Sequence, residues 1–168
     1  PPRSTLFPYT TLFRSEKSSG PEAGNYSTLD RFAGYHTALK EEGIDYDKSL
    51  IVICGYSYQA GYDATKELLE RMVEVDSIIA ANDLVAAGVL SFLKNQGIGV
   101  PDQISVIGYD NNLIAPLTSP GLTSVDQDPR KLGEESVTAL ARAISGRRVT
   151  DTIIDVRLSI RNSTSARR

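Results

Sequence analysis

Residues 77–111 read SIIAANDLVAAGVLSFLKNQGIGVPDQISVIGYDN, and this stretch decides the fold. It opens with a short continuous apolar run, SIIAA, of the kind found in strands that are buried on both faces. Residues 82–97 then predict a helix that is capped by Asn82 or Asp83 and ends at Gly97. A second buried strand, ISVIGY, follows. Strand, helix and strand within about thirty residues are typical of a parallel βαβ unit.

The same alternation runs upstream of that unit. The pattern predicts a helix over 28–43, with Ser27 or Thr28 at its start and Gly43 as its stop. The run SLIVICG predicts another strand buried on both faces. A further helix over 57–73 is capped by Ser57, and its apolar face is formed by Gly61, Ala64, Thr65, Leu68, Leu69 and Met72. We therefore predict an α/β fold built on a doubly wound parallel sheet.

The C-terminal third adds two strands and one well-marked helix. A short strand is predicted within 119–127. The helix over 128–146 has Asp128 as its N-cap, Pro129 at its first position and a glycine stop. Apolar and polar residues alternate over 152–161, which predicts a strand with one solvated face near a sheet edge. The last seven residues, NSTSARR, are a polar tail.

Polar and aromatic side chains follow each predicted buried strand. Ligands of parallel α/β sheets bind beyond the carboxyl ends of the strands, where neighbouring loops meet. Carboxylates, amides and aromatic rings together suit a polyhydroxylated ligand. Taken one at a time, however, Asn and Asp at these junctions are also good helix caps and turn formers. The candidates are Tyr56, Tyr58, Asn82, Asp83, Tyr109, Asp110, Asn111 and Asn112.

The sequence does not predict an enzyme. It contains none of the nucleophile-elbow, phosphate-loop, dinucleotide-binding or zinc-protease motifs. His36 is the only histidine, and its helical position favours a packing or interface role over general base catalysis. Cys54 lies within an apolar run and is interpreted as an inert core thiol. No catalytic residue, metal site or cofactor is predicted.

The composition of the chain limits the classes of partner that it can bind and the compartment that suits it. The formal net charge of −3 disfavours binding of nucleic acid, because such binding needs a surface with clustered Lys and Arg. No apolar run reaches membrane-spanning length, so we expect no membrane partner. A single cysteine excludes an internal disulfide and suits a reducing cytoplasm.

From about Ser18 onward the chain resembles the effector-binding core of the LacI/GalR transcription regulators. The resemblance rests on YSTLDRFAGYHTAL, YSYQAGYDATKELL, LTSVDQDPRKLGEESV and, most specifically, residues 77–111. It implies the fold of periplasmic sugar-binding proteins (type I) and a small sugar-like effector in a cleft between two lobes. The implied effector-binding residues are Arg31, Tyr56, Asn82, Asp110 and Gln127. Where members of this family carry a second acid after GYD, this chain has Asn111.

The resemblance also implies a domain organisation. Residues 16–126 would form mainly the C-terminal lobe, 127–154 a crossover segment belonging to an N-terminal lobe outside this chain, and 155–168 a return strand and tail. The crossover helix should then expose an apolar stripe made of Leu132, Ser136, Val137, Leu140, Ala143 and Ile144. The chain would be a fragment of a cytoplasmic, homodimeric regulator whose missing N-terminal domain binds operator DNA. Alone, it should bind neither DNA nor effector with useful affinity. The alternative is a secreted sugar-binding protein of a transporter.

The opening stretch PPRSTLFPYTTLFRS shows neither helical period nor sustained alternation. All fifteen residues are recovered by translating DNA that resembles the adapter used in short-read sequencing libraries. We therefore interpret residues 1–15 as a non-native, adapter-derived arm and expect them to be disordered. The alternative is a genuine apolar N-terminal arm.

Overall fold

The computed structural model describes residues 10–14 and 26–165 of the protein. In these residues strands and helices alternate along the chain. The elements, in chain order, are β1 Thr10–Arg14, α1 Tyr26–Glu41, β2 Ile51–Ile53, α2 Tyr58–Glu70, β3 Ser77–Ile79, α3 Asp83–Asn95, β4 Ser105–Tyr109, β5 Thr123–Asp126, α4 Pro129–Ile144 and β6 Arg157–Ser159. Short 3₁₀ turns precede β2 and β5.

The strands form one sheet in the order β2-β1-β3-β4-β5-β6. The first five are parallel, and β6 pairs antiparallel with β5 at the edge. Successive residues of β3 point to opposite faces: Ile78 joins the core formed with α2 and α3, whereas Ile79 packs with the cluster beneath α1. Helices therefore cover both faces, which confirms the doubly wound α/β prediction. The edge position predicted for the last strand is also confirmed.

Side-chain caps fix the starts of three helices as the sequence predicts. Ser57 Oγ accepts from the Ala60 N–H at 3.1 Å, and Asn82 Oδ1 accepts from Val85 N–H at 2.8 Å. Asp128 Oδ1 accepts from Lys131 N–H at 3.0 Å. The glycine stops after α1, α3 and α4 all have positive φ, at Gly43, Gly97 and Gly146.

The start of α1 differs from the prediction. This helix begins at Tyr26, so Ser27 and Thr28 lie in its first turn and neither is its N-cap. Helix ends depend on the path of the preceding chain, which local propensity does not define.

The expected disorder of residues 1–15 is wrong for Thr10–Arg14, which form the parallel strand β1 between β2 and β3. Leu12 is buried there against Tyr35 and Leu39 of α1. The segment TTLFR is rich in β-branched and aromatic residues, and without it the facing edges of β2 and β3 would lose their hydrogen-bond partners. Residues 1–9 and 15 lie outside the described residues, and the adapter origin stays a prediction.

Three smaller expectations are also wrong. The strand β2 is an edge strand, so Ile53 is 48% exposed and the strand is not buried on both faces. Met72 lies beyond the end of α2 with φ 56° and is 93% exposed, because the helix stops before its apolar stripe reaches this position. The C-terminal residues are not simply a polar tail: Ser163 is fully buried, donates to Val106 O and accepts from Thr123 N–H.

The helix α4 has no buried residue. Its apolar side chains face solvent, with Leu132 53%, Val137 68%, Leu140 60% and Ile144 79% exposed. The predicted apolar stripe is therefore confirmed. Among the described residues, no helix is both long and apolar enough to cross a membrane.

Candidate functional site

The polar groups singled out from the sequence lie at one edge of the sheet, beyond the carboxyl ends of its parallel strands. Asn82 follows β3, Asp110 follows β4 and Gln127 follows β5, while Tyr56 lies in the loop after β2. Arg31 reaches this edge from α1, where its guanidinium donates to Ala81 O at 2.7 Å. We call this edge the rim and define it by these five residues.

A charged cluster forms the centre of the rim. The Arg31 guanidinium lies over the Tyr109 ring, 4.5 Å from its centroid, in a cation–π contact. The neighbouring Asp110 accepts a 2.6 Å hydrogen bond from Gln127 Nε2. Burial raises the pKa of Asp110, while the Gln127 hydrogen bond and the Arg31 charge act in the opposite direction. Asp110 has a φ of 100°, so its side chain leaves the backbone in a direction that an extended residue could not give it.

The Asn82 amide and Tyr56 form the second part of the rim, and Tyr58 follows Tyr56 in the chain at the start of α2. The Asn82 side chain caps α3 through Oδ1 and donates through Nδ2 to Tyr56 O at 3.2 Å. The capping alternative for this residue is therefore confirmed, and its amide also fixes the loop that carries Tyr56. Tyr56 and Tyr58 are 43% and 42% exposed.

Asp83 has a different place from the one its position in the sequence suggested. It is fully buried, so it does not contribute a ligand-contacting group to the rim. One carboxylate oxygen accepts from Ser124 Oγ at 2.6 Å and the other from the Asn112 N–H at 2.7 Å. Burial is the main cause that raises the pKa of Asp83. This carboxylate holds the turn at 110–112 to the start of α3 and to β5.

Sequence reasoning missed the residues that hold the turn from the other side. Arg161 donates to Asn111 Oδ1 at 2.7 Å and to Leu122 O at 2.6 Å. Asn111 Nδ2 donates in turn to Asp126 at 3.0 Å. Arg161 and Asn111 are fifty residues apart in the chain, and the only local signal for Arg161 was its polar position in an alternating strand.

The remaining candidates form no catalytic arrangement. His36 is exposed on α1, and its ring lies 5.2 Å from that of Tyr46. Burial, with a smaller effect of Glu67, raises the pKa of Cys54 to about 11, which leaves the thiol protonated at neutral pH. Within residues 10–14 and 26–165, no three His, Cys, Asp or Glu side chains are grouped as metal ligands would be.

Comparison with known proteins gives a consistent result. Residues 12–164 match the family described as a periplasmic binding protein-like domain. The chain is 33% identical over 137 residues to the HTH-type transcriptional regulator CelR of Thermobifida fusca, covering 80% of this chain and 40% of that protein. It is 34% identical over 120 residues to the regulator AscG of Escherichia coli K12, covering 71% of this chain and 36% of that protein. The chain thus spans about 40% of the length of the curated relatives it matches.

Solved structures of transcriptional regulators have the same fold as this chain. A CelR–cellobiose complex has a TM-score of 0.83 at 30% identity, over 95% of this chain and 47% of that one. A sugar-binding LacI-family regulator from Escherichia coli, complexed with phosphate, has a TM-score of 0.85 at 28% identity, over 97% of this chain and 57% of that one.

Proposed function

Since the chain belongs to the LacI family of transcriptional regulators, within their periplasmic binding protein-like core, we propose that its rim binds a small sugar-like effector. The effector-contacting residues are Arg31, Tyr56, Asn82, Asp110 and Gln127. The observation that carries this proposal is the convergence of their polar and aromatic groups from five separate segments on one edge of the sheet. The cellobiose bound to the similar regulator CelR supports the choice of ligand class.

The chemistry of the rim suits hydroxyl groups. Asp110 accepts hydrogen bonds from ligand hydroxyls, Arg31 donates to their oxygens, and the Gln127 amide does both. The exposed ring of Tyr56 covers the apolar face of a pyranose. In the free protein these polar groups satisfy one another, as in the Gln127–Asp110 hydrogen bond, so an effector exchanges existing hydrogen bonds for its own.

We further propose that a second lobe covers α4 and completes the cleft. The exposed Leu132, Val137, Leu140 and Ile144 support this, because such a stripe on a helix is normally buried by a partner surface. Residues 127–154 then form the crossover segment that belongs to that second lobe. The rim alone supplies half of the effector contacts, and we expect about millimolar affinity from this chain, compared with about micromolar from a closed cleft.

The regulator works by a population shift in this proposal. Effector bound between the lobes stabilises one lobe arrangement over another and so changes the fraction of homodimers that bind operator DNA. DNA contact is made by a separate helix-turn-helix domain, and the protein acts in the cytoplasm without catalysing a reaction on the effector.

A titration followed by nuclear magnetic resonance (NMR) tests the effector site. The 168-residue chain is titrated with a panel of neutral mono- and disaccharides that includes cellobiose, and backbone amide shifts are followed. At least one sugar is expected to shift amides at the rim with about millimolar affinity. Asp110→Asn should weaken that binding about tenfold, because the carboxylate acceptor is lost. Asp63→Asn, an exposed change on α2, is the matched control.

Binding of every sugar away from the rim, or no shift at the rim with any sugar, would contradict the proposal.

Sequencing the source DNA upstream of the Asn25 codon distinguishes a transcription regulator from a transport receptor. A frame that reaches a helix-turn-helix domain is expected, and a frame that reaches a signal peptide would favour the secreted sugar-binding protein.

A further inference from the structure

The turn at 110–112 is joined to both strands that flank the crossover segment. The Asn111 side chain accepts from Arg161, two residues beyond β6, at 2.7 Å and donates to Asp126, the last residue of β5, at 3.0 Å. Its backbone N–H donates to Ser124 Oγ at 3.0 Å. The Asn111 side chain therefore links the turn to the segment that enters α4 and to the segment that returns from it.

We call the hydrogen bonds of the Asn111 side chain to Arg161 and to Asp126 the joint. The charges of these two partners require a group at position 111 that both donates and accepts. Asp126 needs a donor, and its pKa lies below the usual range because it accepts from the Asp128 N–H and the Asn111 amide. Arg161 needs an acceptor. A neutral amide meets both requirements, whereas an ionised carboxylate at position 111 would accept from Arg161 but face Asp126 without a proton to donate.

Two of the three residues of the turn are also held in left-handed backbone conformations, Asp110 at φ 100° and Asn111 at φ 48°. Asn is among the residues that tolerate this region best. The hydrogen bonds of Asn111 to Ser124, Asp126 and Arg161 hold the turn in this geometry.

We propose that Asn111 is a positioning residue that fixes the effector-site carboxylate Asp110 to β5 and to the chain after β6, and that its amide makes both hydrogen bonds without itself titrating. The inference rests on the proposed function only in treating Asp110 as an effector group. Charged groups face Asn111 and its partners from every neighbouring element. They are Asp83 from α3, Asp110 from the turn, Asp126 from the end of β5, Asp128 from the start of α4, Arg157 from β6, Arg161 from the chain after β6, and Arg31 from α1.

Amide exchange in the 168-residue chain tests the joint without any effector, so a negative result leaves the effector proposal standing. Protection factors of the Asp110 and Asn111 amides are measured by NMR at about pH 7 and about pH 4. Asn111→Asp should lower protection about tenfold at the higher pH and recover it at the lower pH, where one carboxyl of the pair is protonated and donates again. The change Asn112→Asp adds the same charge one residue on, where the side chain only accepts, from Ile114 N–H, and should leave both amides protected.

The double substitution Asn111→Asp with Asp126→Asn exchanges donor and acceptor and should restore protection at both pH values. This rescue distinguishes a hydrogen-bonded joint from a merely structural role. Unchanged protection in Asn111→Asp at about pH 7 would overturn the proposal, and so would a loss that is equal at both pH values and persists in the double variant. If Asn111→Asp does not fold at neutral pH, the double variant decides: wild-type protection supports the joint, and an unfolded chain refutes it.

Discussion

The helices α3 and α4 are built from similar local signals but end in opposite environments. Each begins with an Asn or Asp cap, and each stops at a glycine with positive φ. Nine of the thirteen residues of α3 are buried, whereas none of the sixteen residues of α4 is. Leu93 in α3 is fully buried, and Leu140 in α4 is 60% exposed.

This difference shows that local sequence defines a helix but not what covers it. α3 is placed by the βαβ connection onto the sheet, where it contacts α2 and β4. α4 follows β5 and leaves the sheet, so its stability comes from its caps and from i,i+4 pairs such as Lys131–Glu135, each worth only about 0.2–0.5 kcal/mol. An apolar helix held in this way fits a surface that another lobe covers.

The largest expected effect is the difference in stability between truncating a leucine of α3 and truncating a leucine of α4. Leu93→Ala should destabilise the chain by about 3 kcal/mol, because it opens a cavity in the core. Leu140→Ala should change the free energy of unfolding by less than about 0.5 kcal/mol, because its side chain already faces solvent. Urea denaturation followed by circular dichroism measures both. Equal losses would mean that α4 is covered in solution.

A second comparison uses one glycine inside each helix. A Cβ at Gly88 in α3 would collide with the backbone of α2 at Tyr58 and Tyr62, so Gly88→Ala should cost about 2 kcal/mol. Gly133 in α4 has open space around it, and Gly133→Ala should stabilise the helix by about 1 kcal/mol. Thermal unfolding should give opposite signs for the two variants. A loss of stability in Gly133→Ala would indicate that α4 packs closely against something.

A smaller expected effect is the difference in alkylation rate between the Cys54 thiol and an exposed thiol on α4. Burial raises the pKa of Cys54 to about 11, so at about pH 8 its alkylation by iodoacetamide should be about tenfold slower than that of an exposed thiol. The loss of thiolate is larger than this, but a more basic thiolate is also more nucleophilic, which offsets part of it. Leu140→Cys, made in a Cys54→Ser chain, provides the exposed reference on α4. Equal rates would contradict the burial of Cys54.

The parts of the fold that sequence predicts well depend on short-range signals. The caps at Ser57, Asn82 and Asp128 and the glycine stops are properties of a few adjacent residues. The exposure of α4 was also predictable, though from the resemblance and not from its own pattern. Four of the five rim residues converge on one edge because strand ends in a parallel sheet must do so, and Arg31 reaches the same edge from α1.

What sequence could not predict depends on pairing between distant segments. An apolar run such as SLIVICG reads the same at a sheet edge as in the centre, so the exposure of Ile53 was missed. The strand β1 was missed because its letters carry no alternation. Its Thr11 hydroxyl is buried and has no hydrogen-bond partner among the described residues, which makes it a poor fit to a sheet centre. The roles of Asp83 and Arg161 follow from contacts that span at least 29 residues.

Backbone hydrogen exchange, measured helix by helix on the 168-residue chain, tests the account most directly. A lobe with a complete core and one uncovered helix predicts strong protection in α3 and, in α4, protection at least about a hundredfold weaker, because α4 opens locally without disturbing the core. The same weak protection should hold at every protein concentration. Protection of α4 equal to that of α3 would contradict the account, because the apolar stripe would then already be covered.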